Sequence, residues 1–325
     1  IASISTDTGS SATDFITSDT TLTLTGSLGA GLASGEVAQI SLDGGATWTT
    51  LTTNGTQWTY TDSRTLTDGS YVYQVRVLDL AGNTGPVVSK TVVVDTINPT
   101  ATPTIVSYTD DVGQRQGTFS NSQATDDTTP LLNGVLSAPL ASGEVVYLYR
   151  NGLLLGAVTM VGALNWTYSD SGLVSGAYTY SARVVDLAGN VGQTATQNVV
   201  VDTISPEAAK SITITGISDD TGASSSDFIT SDTTLTVRGV LGAALGANEF
   251  AQISTDNGAT WVNVTVAADG LNWTYVDGRT LTNGTTTWQV RVVDLAGNVG
   301  ATGSQSAQID TVNPAQVLTI ASIST

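Results

Sequence analysis

The chain has no cysteine and no histidine, and only 10 of its 325 residues are lysine or arginine. Each absence excludes something. Without cysteine or histidine, zinc, copper and iron lack their usual ligands, and the common nucleophile–base pairs of covalent catalysis cannot be built. No disulfide can restrain the loops. Scattered cations exclude a nucleic-acid surface, which needs clustered Lys and Arg against phosphates, and equally an anionic membrane surface. No apolar run approaches the roughly 18 residues of a membrane span. The first residues lack the charged-then-apolar pattern of a leader, and no segment sustains a helical period.

What remains is acidic and rich in strand formers. There are 28 acidic residues, giving a net charge of −18, and 40% of the chain is hydrophobic. Thr, Val and Tyr favour strands while Gly, Asn and Asp favour turns, so the composition predicts an all-β protein. The length suits two or three domains, each able to bury a core. An acidic surface suits bound cations or high ionic strength.

Internal repetition decides the organisation. The string DLAGN begins at Asp79, Asp186 and Asp294, with spacings of 107 and 108. VDTINP, VDTISP and IDTVNP place Asp95, Asp202 and Asp310 at the same two spacings. A third marker, N/Q-W-T-Y-x-D, carries Trp58, Trp166 and Trp273. The last six residues, IASIST, repeat the first six. The reading is three domains, 1–99, 100–207 and 208–314, with the start of a fourth repeat at 315–325.

Within one copy, short strands alternate with turn signals, the pattern of a β-sandwich. In the first copy, strands are expected near 1–6, 20–25, 36–42, 46–51, 57–61, 71–79 and 87–94, with a long polar loop before Asp19. Alternation points Trp58, Tyr73, Val75 and Val77 into the core, with Trp166, Tyr180, Trp273 and Trp288 as counterparts. The expected fold is three tandem immunoglobulin-like β-sandwiches in an extended rod.

The combination of a T/S-D-D-x-G loop, S/D-D-T-T, a G-E step, DLAGN and VDT-x-x-P resembles the bacterial Ig-like repeats of giant, type-I-secreted RTX-type adhesins of Gram-negative bacteria. The resemblance spans the chain and is closest in the second copy, at TDDVG (109–113) and TDDTTP (125–130). It implies extracellular domains that extend a stalk, bind calcium near their junctions and leave ligand binding to a tip elsewhere in the parent protein. The implied partners are the neighbouring repeats of the same chain. The first and third copies depart by an added S-x-D-x-G-x-T-W hairpin, and Thr6 stands where the others have Asp110 and Asp219.

Topology places the acids independently. Successive strands of such a sandwich alternate direction, so the A–B loop and the C-terminus share one end, and the B–C and F–G loops share the other. Asp7, Asp14, Asp19 and Asp95 should therefore face the second domain, which returns Glu144, Asp186 and Asn190. At the next junction Asp110, Asp111, Asp126, Asp127 and Asp202 should meet Glu249, Asp294 and Asn298. Asp219, Asp220, Asp227 and Asp310 should face a following repeat, and Asp79 a preceding one. Such acids repel unless a hard cation with six to eight oxygen ligands joins them, and Ca²⁺ is the natural choice. The competing reading is plain turn chemistry, which uses Asp and Asn freely.

Other features read as structural. Arg64 and Arg279 follow Asp62 and Asp277 by two residues and suggest ion pairs. SLDGGATW (41–48) and STDNGATW (254–261) resemble the Asp-box of sialidase propellers, a hairpin without chemistry of its own. Arg76, Arg183 and Arg291 recur on one strand as outward cross-strand partners. No arrangement supports an enzyme. The expected function is a calcium-stiffened stalk; the rival is a glycan- or protein-binding module, for which Tyr108, Tyr147 and Tyr149, confined to the second copy, are the reason.

Overall fold

The computed structural model describes residues 1–319, and no helix occurs among them. The first five of the 11 residues read as a fourth repeat form no element; the remainder, 320–325, lie outside the described residues. Six sheets make three sandwiches. The first is built from β1 (Ser3–Ile4), β2 (Ile16–Thr17), β3 (Thr23–Ser27), β4 (Val37–Ser41), β5 (Thr49–Thr50), β6 (Thr52–Asn54), β7 (Gln57–Thr61), β8 (Gly69–Leu78) and β9 (Val88–Val94). One sheet runs β1-β3-β7-β6 and the other β2-β9-β8-β4-β5. The second sandwich has two five-stranded sheets, and the third has sheets of four and five strands.

By internal contacts the chain divides into two compact units. One comprises 1–108, 131–169 and 178–198; the other comprises 109–130, 170–177 and the chain from Val199 onward. The first unit thus holds the first sandwich and most of the second. The other holds the third sandwich with the acidic A–B loop of the second.

Two details of the strands differ from the sequence reading. Of the strand expected at 46–51 only β5 (Thr49–Thr50) forms; Leu51 is buried, with its N–H on Ala38 O at 2.8 Å, and the chain then crosses to the opposite sheet as β6. The long polar loop also conceals β2, which pairs in parallel with β9, Ile16 opposite Val93 and Thr17 opposite Val94. A two-residue parallel bridge leaves no period to read. It is fixed locally: Asp7 Oδ2 accepts the Phe15 N–H and Asp14 Oδ1 the Ile16 N–H, both at 3.1 Å. Phe15 turns at φ 66° to bury its ring.

The tryptophans centre the cores as expected, with Trp58, Trp166, Trp273 and Trp288 all buried. A glycine lies beneath each of the first three. A Cβ on Gly26, Gly134 or Gly239 would stand 2.3, 2.0 or 2.1 Å from the indole of Trp58, Trp166 or Trp273. Val75 and Val77 are only half-buried, whereas Val290 and Val292 in the third sandwich are fully buried. The reason is Pro86, which cannot donate to a ladder. It delays β9 to Val88, while the matching strands begin at Val191 and Val299, directly after their turns. A cleft of about 160 Å³ lined by Val75, Val77 and Pro86 results.

Candidate metal sites at the domain ends

The DLAGN turns explain themselves first. In each, the Asp carboxylate closes its own loop. Asp79 Oδ1 accepts the N–H groups of Ala81 and Asn83 at 2.9 and 2.8 Å, while Asn83 Nδ2 donates to Oδ2 at 2.8 Å. The Asn83 bonds hold the Asp79 carboxyl below its ordinary value. Asp186 takes the Asn190 N–H and Nδ2 at 2.9 and 2.8 Å. Asp294 takes three backbone N–H groups at 2.9 Å and Asn298 Nδ2 at 2.8 Å. These acids already have the donors that turn chemistry supplies.

The asparagine does more. Asn190 Nδ2 also donates to the Asp95 carbonyl at 2.8 Å, and Asn298 Nδ2 to the Asp202 carbonyl at 2.7 Å. Each turn therefore grips the linker that precedes its domain. Asn190 and Asn298 act through a donor nitrogen, which leaves only Oδ1 for a cation. The sequence carried the signal, since the two strings repeat at one spacing, but only the fold showed that they touch.

The A–B loops complete both junctions. Thr8 Oγ1 donates to the Ala188 carbonyl, and Gly9 packs so closely that a Cβ there would lie 2.0 Å from Leu187 O. At the second junction Arg115 Nη1 takes this role, donating to Leu295 O at 2.5 Å and Ala124 O at 3.1 Å. The expected meeting of A–B loop, linker and F–G turn is therefore present at both junctions. Arg115, a cation set among acids, was not anticipated.

Three carboxylate oxygens stand out. Asp7 Oδ1, Asp126 Oδ1 and Asp220 Oδ1 are buried without a hydrogen-bond partner, one in each sandwich and all in the A–B loop. Asp7 and Asp220 match: their Oδ2 atoms accept the N–H of Phe15 and Phe228 at 3.1 and 3.0 Å. Asp126 lies on the other arm of its loop, against Gly113, where a Cβ would meet its Oδ2 at 1.9 Å. Burial, then the Asp14 charge, pushes the Asp7 carboxyl up. Burial and the charges of Asp110, Asp294 and Asp127 push Asp126 up. Asp110 is raised by burial and then Asp127, although Thr125 Oγ1 donates to its Oδ2 at 2.6 Å.

The remaining acids divide. Asp127 Oδ1 holds Thr129 by its N–H and hydroxyl at 2.7 and 2.9 Å, as Asp19 holds Thr21. Asp14, Asp95, Asp202, Asp227 and Asp310 each accept one N–H two residues on. Asp111 is exposed, and Asp219 sits at φ 45° with its carbonyl accepting from Thr230 Oγ1 at 2.6 Å. Glu144 Oε2 closes its own turn on the Ala141 N–H at 2.8 Å. Glu249 does likewise on Gly246 and pairs with Lys210 at 2.8 Å. Burial opposes ionisation of Glu249, but the Lys210 bond holds its carboxyl below the ordinary value. Among the described residues no group of three or more acidic side chains is arranged, as it stands, to hold a metal ion. Calcium takes carbonyl as well as carboxylate oxygens as ligands, and the orphaned oxygens have acidic neighbours, Asp14 beside Asp7 and Asp110, Asp127 and Asp294 around Asp126.

The far-end pairs are structural, as expected. Arg64 binds Asp62 through Nε and Nη2 at 2.9 and 2.7 Å, and Tyr73 OH adds a bond at 2.8 Å. Arg279 repeats this on Asp277, joined by Trp288 Nε1 at 2.8 Å. The Asp-box hairpins are closed by Ser41, Asp43 and Thr47. The Thr47 and Ser41 bonds lower the Asp43 carboxyl to about 2.

Repeated sandwiches joined through linker, loop and turn define a tandem Ig-like module. The profile described as "Bacterial Ig-like domain" matches three times, at residues 2–96, 101–203 and 208–311. The chain belongs to that family. Solved structures with a similar fold include fibronectin(III)-like modules of CbhA from Clostridium thermocellum, 11% identical, TM-score 0.35, over 58% of this chain and 90% of that one. The FN1–FN3 domains of chicken CNTN1 are 14% identical, TM-score 0.32, over 89% and 95%. A protein from Corynebacterium diphtheriae described as membrane-anchored is 11% identical, TM-score 0.26, over 89% and 87%. Comparison with curated proteins finds no match.

Proposed function

We propose that this chain is an extender segment of a large bacterial cell-surface adhesin, exported from a Gram-negative cell by type I secretion, and that Ca²⁺ at the domain ends stiffens it. The observation that carries the calcium reading is the recurrence of one buried, unpartnered carboxylate oxygen per sandwich, always in the A–B loop. A buried anionic oxygen without a donor is costly, and its return in the A–B loop of each sandwich, at matching positions in Asp7 and Asp220 and at a different one in Asp126, supports a missing common partner. Asp7 with Asp14 and Asp95 would hold the ion at the first junction. Asp126 with Asp110 and Asp202 would hold it at the second, and Asp220 with Asp227 and Asp310 at the third end. The ion would neutralise like charges and join loop to linker, so that one orientation of neighbouring domains is favoured.

Extracellular modules bind calcium with Kd of roughly 10⁻⁴ to 10⁻³ M. At ~10 mM calcium such affinities stabilise each occupied site by roughly 1.4–2.7 kcal/mol. Repeated along a long array, that decides whether neighbouring domains hold one angle or many. At the micromolar calcium of a cytoplasm the sites would empty, which favours export. The test is calcium titration with small-angle scattering and calorimetry. Addition should raise the melting temperature and increase the maximum dimension, and chelation should reverse both. A chelator that leaves both unchanged would refute the calcium reading.

A further inference from the structure

The outer face of one sheet in the second sandwich departs from its two counterparts. Strand Val145–Arg150 pairs with Gly176–Val185 so that Tyr147 stands opposite Arg183. Val146, Leu148, Ala182 and Val184 fill the core, which leaves Tyr147, Tyr149 and Arg183 on the outer face. Tyr108, the third tyrosine that set this copy apart, is fully buried and belongs to the core instead.

The same arginine position occurs in every sandwich, and in the other two it is satisfied within the chain. Arg76 Nε donates to Gln39 Oε1 at 3.0 Å, and its guanidinium stacks 3.9 Å from the Trp48 ring. Arg291 Nε donates to Gln252 Oε1 at 3.0 Å, Nη1 reaches Gln114 at 3.3 Å, and the group stacks 4.2 Å from Trp261. Gln39 and Gln252 lie directly opposite their arginines. Tyr147 replaces them in the second sandwich. Arg183 stacks on Tyr149 at 4.1 Å, but its Nε is buried without an acceptor. A groove of about 350 Å³ surrounds it, walled by Tyr147, Tyr149, Leu154 and Val191 together with Gly9 and Ser10 of the first sandwich, and no acid lines it.

We propose that this groove binds a carbohydrate: a neutral oligosaccharide ending in one carboxylate-bearing sugar. The guanidinium presents a planar fork that pairs bidentately with a carboxylate, and here it has no other claimant. The tyrosines offer ring faces to a sugar's C–H groups and hydroxyls to its polar edge. The volume suits a sugar or two. Net charge selects among acidic glycans, because a chain at −18 repels polyanions at long range while tolerating a single carboxylate. Gly9 and Gly189 of the first junction also line the groove, but Arg183, Tyr147 and Tyr149 take no part in the calcium reading, so their variants test this site alone.

The experiment is titration of the whole chain, in calcium, with sialyllactose and with lactose, followed by calorimetry and by the tyrosine ring resonances. Sialyllactose should bind saturably and shift those resonances, and lactose should bind about ten-fold more weakly, the loss of one charge-assisted pair. Arg183→Gln and Tyr149→Ala should weaken binding at least as much. Tyr147→Gln, which recreates the partner found in the other two sandwiches, should close the site with the melting temperature unchanged. Arg291→Gln should leave binding intact. Absence of saturable binding at millimolar sialyllactose, equal binding of lactose, or an unaffected Arg183→Gln variant each overturns the proposal. Equal binding of a short N-acetylated peptide with uncharged side chains through its C-terminal carboxylate would overturn the carbohydrate assignment.

Discussion

Replacing Asp7 by Asn keeps the acceptor for the Phe15 N–H and removes a charge, and its effect should reverse sign with calcium. In chelator, the wild-type carboxylate has one oxygen buried without a donor and the Asp14 charge beside it. The amide removes that repulsion, and its NH₂ can donate to Asp14. An unpaired buried polar group costs about 1–3 kcal/mol. Since Asp7 is only half-buried, the gain belongs at the low end, about 1 kcal/mol. In ~10 mM calcium the variant forfeits most of the roughly 1.4–2.7 kcal/mol that an ion held by Asp7 would supply. One kcal/mol is worth roughly 4–8 °C in a domain of this size. Scanning calorimetry should therefore show the first sandwich of the wild type gaining roughly 5–20 °C on calcium addition. Asp7→Asn should begin about 4–8 °C higher in chelator and gain little. A variant less stable than wild type in chelator, or one with an undiminished calcium response, would refute the reasoning.

Further outcomes are expected. Asp7, Asp110 and Asp126 have carboxyls raised above 3.8, first by burial. Their contribution to stability is present below the unfolded value and lost as pH climbs through the folded values. Asp43 and Asp256, held at about 2 by threonine hydroxyls, contribute above 3.8 and lose it as pH falls toward 2. Melting in chelator should thus improve on mild acidification from neutrality and worsen below pH of about 4; in calcium, acidification should only destabilise, since protons compete with the ion. Trp166→Ala should cost about 3–5 kcal/mol in denaturant titration. Gly134→Ala, whose Cβ would meet both the Trp166 ring and Thr104 O, should cost about 1–3 kcal/mol or more. Asn298→Ala removes the bonds to Asp202 O and Asp294 Oδ2; it should cost about 1–2 kcal/mol and speed amide exchange in the linker while the core amides stay protected.

The repeat made the architecture legible. Three markers at a common spacing fixed the number of sandwiches, and alternation identified the tryptophans of the core. Val75 and Val77 misled because alternation reports a side, not what covers it, and Pro86 lies outside their strand, in the segment that leads into β9. Topology correctly brought Asp95 together with the turn of Asp186 and Asn190. Spacing could not tell that Asn190 would face the linker with its nitrogen, nor that Asp186 would spend both oxygens on its own turn. Single carboxylates look alike in sequence. Asp7, Asp14 and Asp19 differ only in which backbone donors the folded loop brings to them. Arg183 illustrates the converse. Its lack of an acceptor follows from Tyr147 standing where the other copies have glutamine, a difference visible in the sequence once strand register says which residues are opposite.

The short parallel strand β2 has a consequence for a chain pulled along its length. In every sandwich the loop strand lies parallel to the last strand, as Ile16–Thr17 on β9, Ala124–Thr125 on Val191–Val201, and Ile229–Thr230 on Val299–Ile309. The final bond joins the linker acid itself to this strand: Asp95 N–H to Thr17 O, Asp202 N–H to Thr125 O, and Asp310 N–H to Thr230 O. Tension enters each sandwich near its first strand and leaves by its last. Two parallel neighbours drawn in opposite directions slide past one another, so their hydrogen bonds bear the load together in shear. An antiparallel pair held at one edge would instead peel apart a bond at a time. The entry and exit of each domain are thereby latched side by side, and the latch resists most when the two ends of the domain are pulled apart.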